Sequence, residues 1–188
     1  MESSQPQIRL ALLGLLALCL PASPLPTGAP ISACTTMHPK HQNITHQESM
    51  TPYTIEFSKT SSPALQVKIA GGIYKGILLQ AREPGAAIAI GTWSTSSPDT
   101  KTLACFNRGN SAITHSNIND KNGNVIYSWT PPANCVSKMT FVATIAESKA
   151  VYWVKILSEE ISITCDAVKC MSGFAVLAAF MVWSLTVF

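Results

Sequence analysis

Charged residues are scarce in this chain, and its basic residues never form a run. The 188 residues include 13 Lys and Arg, 10 Asp and Glu, and 4 His, for a formal net charge of +3. Proteins that bind nucleic acids carry clusters of Lys and Arg on one face or along one helix. We therefore expect no nucleic-acid partner, and the small positive charge does not predict any other anionic partner.

The sequence also lacks the residue patterns of common catalytic and metal sites. No serine lies in a nucleophile-elbow motif, and the acidic residues that could complete a triad with a serine and a histidine are few. The cysteines never occur in the pairs, about two to four residues apart, that structural zinc sites use. We predict a non-catalytic protein without a cofactor.

Long apolar runs occur only at the two ends of the chain. Residues 10–20 follow Arg9 and precede Pro21 and small residues, which is the arrangement of a secretory signal peptide over residues 1–23. The run is too short to span a bilayer. The middle of the chain is therefore expected to fold outside the cell, where disulfides form.

The second apolar run predicts attachment to the outer leaflet of the membrane. In the tail, residues 168–188, the last sixteen are mostly apolar and no basic residue follows them. We favour a GPI-attachment signal with the lipid on Asp166, although the polar spacer is shorter than the usual roughly 8–12 residues. The alternative is a short membrane anchor, since a span normally needs about 20 residues. The expected location is the extracellular face of the plasma membrane, with secretion as the other outcome.

Four cysteines lie in the middle region, and Cys170 lies in the tail just before its apolar run. Cys34, Cys105, Cys135 and Cys165 predict two disulfides, for which the sequence alone permits three pairings. Cleavage between Cys165 and Cys170 leaves an even set, whereas a retained tail leaves an unpaired thiol at the membrane. Cysteine parity therefore favours a tail that is removed.

A polar segment near the mature N-terminus contains the candidate modification and metal sites. Asn43 begins the only glycosylation sequon, so we predict a glycan there. His38, His41 and His46 lie close together, and imidazoles in one loop can converge on copper, zinc or ferric iron. The alternative is an exposed polar segment beside the glycan.

The middle region predicts strands throughout, without the 3.6-residue periodicity of a helix. Strands are expected at residues 53–57, 65–69, 73–82, 87–93, 102–106, 111–115, 125–129, 139–146 and 151–157. The last two are expected to pair as a hairpin, and Gly76 predicts a bulge or a close backbone approach. Short strands separated by turns, of which Asn122-Gly123 is the strongest signal, predict one antiparallel β-sandwich of about nine strands.

Polar and aromatic side chains in these strands have two interpretations. Gln80-Ala-Arg82 and Thr114-His115 could point into a ligand cleft. We favour Arg82 and His115 as strand-end residues, with Arg82 paired to a carboxylate or to carbonyl groups. Tyr152 and Trp153 are adjacent, so they face opposite sides of a strand. One of the two is then expected on the surface, where a partner could contact it.

The order of short motifs in this region resembles the reeler (reelin-type) domain. The blocks run Cys34-Thr-Thr-Met37-His-Pro39-Lys-His41, Pro52-Tyr53, Gly76-Ile-Leu-Leu-Gln-Ala-Arg82, Gly91-Thr-Trp93, Leu103-Ala-Cys105-Phe-Asn107, Ser111-Ala-Ile-Thr-His-Ser116, Trp129-Thr-Pro-Pro132, Phe141-Val-Ala-Thr144 and Tyr152-Trp-Val-Lys-Ile156. They place the domain at residues 30–165. The resemblance implies an immunoglobulin-like β-sandwich with the disulfides Cys34–Cys105 and Cys135–Cys165.

The resemblance implies three roles. Stand-alone reeler proteins imply recognition in innate defence or at the cell surface, with an extracellular protein, a glycan or a microbial surface as the ligand. Ferric-chelate reductase-like proteins imply an accessory of ferric or cupric ion reduction or uptake, with the three histidines presenting the metal. Larger reeler-containing proteins imply matrix adhesion. The sequence has no set of membrane-embedded histidines to ligate haem, so no electron-transfer cofactor is expected.

Overall fold

The computed structural model describes residues 27–39, 41, 43–134 and 136–163, which form an all-β sandwich. A short 3₁₀ helix, Ile31–Ala33, precedes the strands. The strands are β1 (Thr54–Lys59), β2 (Leu65–Ala70), β3 (Gly76–Arg82), β4 (Thr92–Thr95), β5 (Thr100–Cys105), β6 (Arg108–His115), β7 (Tyr127–Thr130), β8 (Lys138–Ala146), β9 (Tyr152–Leu157) and β10 (Ile161–Ser162).

The strands form two antiparallel sheets that pack face to face. One has the order β1-β2-β7-β4 and the other the order β10-β8-β3-β6-β5, with β9 also paired to β8. Strand β2 shows why the sheets pack, because Leu65, Val67 and Ile69 are buried while Gln66 between them is exposed. The antiparallel sandwich predicted from the sequence is confirmed, and so is the hairpin of β8 and β9.

Aromatic rings fill the space between the sheets. Phe141 of β8 lies at the centre, with Phe57, Trp93 and Trp129 at ring-centroid distances of 6.0, 5.4 and 5.7 Å. Edge-on and tilted contacts of this kind add to the stabilisation from burial. Nearby, the Tyr74 and Tyr127 hydroxyl groups form a hydrogen bond of 2.9 Å inside the core.

Two predicted strands begin later than the sequence pattern indicated. The strand expected at 73–82 begins at Gly76, and its pairing with β8 runs without a bulge. The close approach, which was the other expectation for Gly76, is present, since a Cβ there would lie 3.1 Å from the Ala146 Cβ. The strand expected at 87–93 begins at Thr92, because Gly91 has a φ of +68° and ends the extended backbone before it.

The prediction also missed β10, which has only two residues. A segment this short carries no alternating pattern of its own. It is a strand because the adjoining edge of β8 offers backbone groups at Lys138 and Met139 that pair with Ser162 and Ile161.

Candidate functional site

The segment before β1 lies across the outer face of the larger sheet. We call residues 27–39, 41 and 43–50 the strap. Its Ala33, Cys34 and Met37 are buried in a second hydrophobic cluster against Leu78 and Val142 of the sheet. The part of the sheet under the strap is therefore buried on both faces, which explains why every residue of β3 after Gly76 is buried.

Buried polar side chains of the sheet hold the strap in place. Arg82 Nη2 donates to the Cys34 carbonyl at 2.6 Å and to the Thr35 carbonyl at 3.3 Å. Gln80 accepts two hydrogen bonds from the Arg82 guanidinium through Oε1 and donates to the Cys34 carbonyl through Nε2. Thr144 donates to the Met37 carbonyl at 2.7 Å. These groups bind the strap and do not line a ligand cleft.

The expected strand-end roles are also visible. Arg82 is the last residue of β3 and binds carbonyl groups, as the sequence suggested. His115 is the last residue of β6, and its Nδ1 lies 3.4 Å from the Ile77 carbonyl. Burial lowers the pKa of the Arg82 guanidinium, although an arginine stays protonated under ordinary conditions.

A disulfide joins the strap to the sheet. Cys34 and Cys105 are bonded across a sequence separation of 71 residues, which is the pairing that the resemblance implied. In the chain-entropy model a loop of this length contributes about 4 kcal/mol to the free energy of unfolding. Cys135 and Cys165 lie outside the described residues, so their pairing stays a prediction.

The three histidines of the strap do not converge. The rings of His38 and His46 lie 5.4 Å apart in an edge-on contact, whereas His41 packs against Tyr152 at 5.2 Å. Burial lowers the pKa of His38, and the positive charges of His46 and Lys155 lower it further. Within residues 27–39, 41, 43–134 and 136–163, no group of three or more His, Cys, Asp or Glu side chains could hold a metal.

The sequon lies on the solvent side of the strap. Asn43 and Thr45 are exposed, and Asn43 has a φ of +58°, which asparagine tolerates better than most residues. Both hydrogen bonds that hold this part of the strap follow Asn43 in the sequence: the Ile44 carbonyl accepts one from the Tyr152 hydroxyl, and the Gln47 main-chain amide donates one to the Tyr152 carbonyl. The strap therefore presents Asn43 outward from a fixed backbone.

The aromatic pair of β9 divides between two environments. Tyr152 is buried, while Trp153 is partly buried against the core and donates from Nε1 to the Ser49 carbonyl at 3.2 Å. Trp153 also contacts Tyr53 edge-on at 5.6 Å. Its indole therefore fixes the end of the strap, which the sequence did not indicate.

The predicted tail and lipid-attachment residue cannot be placed. Residues 1–26, Asp166 and the tail at 168–188 all lie outside the described residues. In the part of the chain that the structure describes, no helix is long and apolar enough to cross a membrane.

Sequence reasoning missed two residues that fix loops and the strap. Thr144 interrupts the buried apolar run at residues 141–145 of β8, and a polar residue in such a run is the signal that could have identified it. Lys121 is 1% exposed, and its ammonium donates to the carbonyl groups of Lys75, Asn117 and Asn119 at 2.8–3.1 Å. No sequence pattern marks this lysine, because its partners are main-chain groups.

The chain is similar to two kinds of known protein, defense proteins and ferric-chelate reductase homologs. A putative defense protein Hdd11 of Hyphantria cunea is 37% identical over 147 residues, covering 73% of this chain and 87% of that protein. A putative defense protein of Bombyx mori is 38% identical, covering 73% and 84%. A putative ferric-chelate reductase 1 homolog of Drosophila melanogaster is 34% identical, covering 76% of this chain and 24% of that protein.

The fold agrees with a solved structure of the same kind. A crystal structure of a human F-spondin reeler domain superposes with a TM-score of 0.50 at 14% identity, covering 70% of this chain and 99% of that one. The model of the Reeler domain matches residues 32–168. With a match over most of its length, the chain belongs to the reeler domain family.

Proposed function

We propose that this protein is a non-catalytic, extracellular recognition module of innate defence, held at the outer leaflet of the plasma membrane. The observation that carries the proposal is the coverage of its relatives. The reeler region accounts for 84–87% of two proteins named as defense proteins. It accounts for only 24% of a ferric-chelate reductase homolog.

The arrangement of the buried polar residues supports a binding role without covalent chemistry. Gln80, Arg82 and Thr144 are all engaged by strap carbonyl groups. A catalytic group needs a nucleophile and a base within reach of each other and of substrate. These side chains instead bind the strap backbone and one another, so we assign recognition to exposed loops and sheet surfaces.

The placement of the chain end is compatible with a tether. Ile163 donates its amide to the Ser137 carbonyl, so the last described residues are held against the start of β8. The predicted lipid-attachment residue, Asp166, follows three positions later in the sequence. A short connection would keep this end of the sandwich near the membrane and leave its sheet faces accessible from outside.

The test is to express the full chain on the surface of a cell that adds glycans and GPI anchors. Cells carrying the protein should retain labelled bacteria or fungi above the level of cells carrying the empty vector. An Asn43→Gln variant should still reach the surface with a lower mass, because the glycan is removed and the fold is not. If no microbe is retained while glycosaminoglycans are, the adhesion role replaces the defence role.

A second candidate is the presentation of cupric or ferric ions. It is favoured by one observation, the 5.4 Å separation of the His38 and His46 rings. Titration of the full chain with copper should then give a spectroscopic change that a His38→Ala/His46→Ala variant lacks. A matched His41→Ala variant should bind normally, since His41 packs elsewhere. Absence of micromolar binding rejects this candidate.

A further inference from the structure

The two outer faces of the sandwich differ in what covers them. The strap lies over the six-stranded sheet, whereas the described residues leave the outer face of β1-β2-β7-β4 open. Apart from Ala70 at the end of β2, the outward side chains of these strands are polar. They are Thr54, Glu56 and Ser58 of β1, Gln66 and Lys68 of β2, Ser128 and Thr130 of β7, and Thr92 and Ser94 of β4.

These side chains form rows across the sheet. The register pairs Ser58 with Gln66, Gln66 with Ser128, and Ser128 with Ser94, so that four polar residues stand side by side. Thr130 and Thr92 form a parallel row beside them. Because neighbouring strands lie about 4.8 Å apart, the face presents hydroxyl and amide groups at a regular spacing.

The four side chains of the longer row have no hydrogen-bond partner in the part of the chain that the structure describes. Within the described residues, the side chains of Ser58, Gln66, Ser94 and Ser128 make no hydrogen bond, whereas the hydroxyl groups of Thr114 and Thr144 on the other sheet do. A ligand with matching donors and acceptors would exchange bound water for direct hydrogen bonds along the whole row.

The face is also electrically neutral. Its two charged residues, Glu56 and Lys68, form an ion pair of 2.9 Å and cancel each other. They border a shallow groove of about 260 Å³ between β1 and β2, which Ser58, Gln66 and Ile126 also line. A charged polymer would gain little from such a surface, so complementarity favours an uncharged, hydroxyl-rich ligand.

We propose that the outer face of β1-β2-β7-β4 binds an uncharged polysaccharide. This inference rests on the proposed recognition function and assigns it a ligand class and a surface. An extended polysaccharide offers regularly spaced hydroxyl groups and no charge, which matches the rows on this face. Recognition through single hydrogen bonds is weak per site, and many copies on one cell surface would bind a polymer through avidity. The Asn43 glycan would lie on the strap, over the other sheet.

The test uses cells that display the full chain and beads of insoluble β-glucan, mannan or chitin, with heparin beads for comparison. At least one neutral polymer should be retained, and raising NaCl from about 0.1 to about 1 M should leave retention unchanged, since no ion pair is involved. A Ser58→Ala/Ser94→Ala/Ser128→Ala variant should retain the polymer about tenfold less, because three hydrogen bonds are lost.

The matched control is Ser49→Ala/Ser137→Ala/Ser162→Ala, which removes three exposed hydroxyl groups from outside this face and should bind normally. A Gln66→Lys variant, which adds an unpaired charge at the centre of the row, should also lose the neutral polymer. Surface staining verifies that each variant folds and is exported.

Several outcomes would overturn the proposal. Equal retention by the two triple variants would place the site elsewhere while leaving the defence role intact, as would microbial binding without retention of any neutral polymer. Preference for heparin that disappears in salt would indicate an anionic ligand, and a change in self-association alone would indicate a second copy as the occupant. Failure of the displayed chain to bind any microbe would reject both this proposal and the proposed function.

Discussion

Arg82 fixes the position of the strap through several hydrogen bonds of one side chain. Its Nη2 atom donates to the carbonyl groups of Cys34 and Thr35, and its Nε and Nη2 atoms donate to Gln80. The planar guanidinium makes these bonds together, which a lysine ammonium cannot reproduce in the same geometry. One buried cation is therefore satisfied by neutral acceptors instead of a carboxylate.

Replacing Arg82 with alanine should lower the free energy of unfolding by about 2–4 kcal/mol, because the buried carbonyl groups lose their donors. Urea titration followed by tryptophan fluorescence measures the change. Arg108→Ala is the matched control, since Arg108 is exposed and makes one bond, to the Ala89 carbonyl at 3.2 Å. Equal losses for the two variants would contradict the role assigned to Arg82.

The buried tyrosine pair predicts a loss of stability in alkali. Burial raises the pKa of Tyr74 to about 12, and burial with the neighbouring Tyr74 also raises the pKa of Tyr127. In the unfolded chain a tyrosine releases its proton near pH 10. The unfolded state therefore loses protons first, and the stability that is present below about pH 10 declines as the pH rises above it.

Between about pH 8 and about pH 10.5, ionisation of each of these tyrosines in the unfolded chain should lower the free energy of unfolding by about 1 kcal/mol. A Tyr74→Phe/Tyr127→Phe variant should lose about 2 kcal/mol less than the wild type over this interval, because neither ring can ionise. Urea titrations at the two pH values provide the comparison. An identical pH dependence in both proteins would show that other groups are responsible.

At the scale of the element, the strap is the feature that distinguishes this sandwich. It contains one turn of 3₁₀ helix and no strand, yet it buries one face of the larger sheet. The strap is held on the sheet by a disulfide, by hydrogen bonds to its buried carbonyl groups and by three apolar side chains. Each of these contacts needs a partner distant in sequence. A local sequence pattern could therefore not reveal it.

The pairing of β10 with β8 predicts the second disulfide. Ile161 pairs with Met139 and Ser162 with Lys138, so the two residue numbers in each pair have the same sum. The residue numbers of Cys135 and Cys165, which lie outside the described residues, have the same sum. The register thus supports the pairing that the family resemblance implied.

Proteolysis of the unreduced protein should yield one peptide pair that contains Cys135 and Cys165, and mass spectrometry should detect it. A Cys135→Ala variant should leave Cys165 reactive toward a thiol reagent, while the Cys34–Cys105 bond stays unreactive. A peptide pair that joins Cys165 to Cys170 would contradict the register argument.

The strands show how far local sequence carries a fold prediction. The alternation in β2 and the paired apolar segments of β8 and β9 were sufficient to predict these strands, because the buried positions of each strand are its apolar residues. Strand β4 was placed too early, since Ala89 is buried but makes only an isolated bridge to Arg82. Burial and strand pairing are separate properties, and a sequence pattern reports the first.

The same distinction applies to the candidate site. The sequence predicted that Arg82 pairs with a carboxylate or with carbonyl groups, and the structure shows the second alternative. The sequence could not separate His41 from His38 and His46, since the separation depends on the ring of Tyr152, which is distant in sequence. Loop residues close in sequence are not thereby close in space.

At the scale of the whole molecule, the two outer faces of the sandwich differ in what covers them. One is closed by the strap and carries the sequon, while the other presents rows of polar side chains. The chain end at Ile163 lies beside Ser137, near the start of β8. A tether attached soon after this point would hold one end of the sandwich at the membrane.

Treatment of expressing cells with phosphatidylinositol-specific phospholipase C should release the protein into the medium if Asp166 carries a GPI anchor. Detection by antibody in the medium and loss from the cell surface measure the release. Deleting residues 168–188 should give secretion without any treatment, which serves as the control. Retention at the surface after the enzyme, with secretion of the deleted form, would instead indicate a short membrane anchor.

The sequence by itself determined the β-sandwich, the strand-end role of Arg82 and the family, because alternation, turn residues and ordered motifs are local properties of the chain. Only the tertiary structure decided that the segment before β1 covers one sheet, that His41 lies apart from the other two histidines, and that one polar face stays open. Each of these depends on contacts between residues far apart in sequence. Their free energy comes from burial and hydrogen bonds that exist only after the sheets have packed.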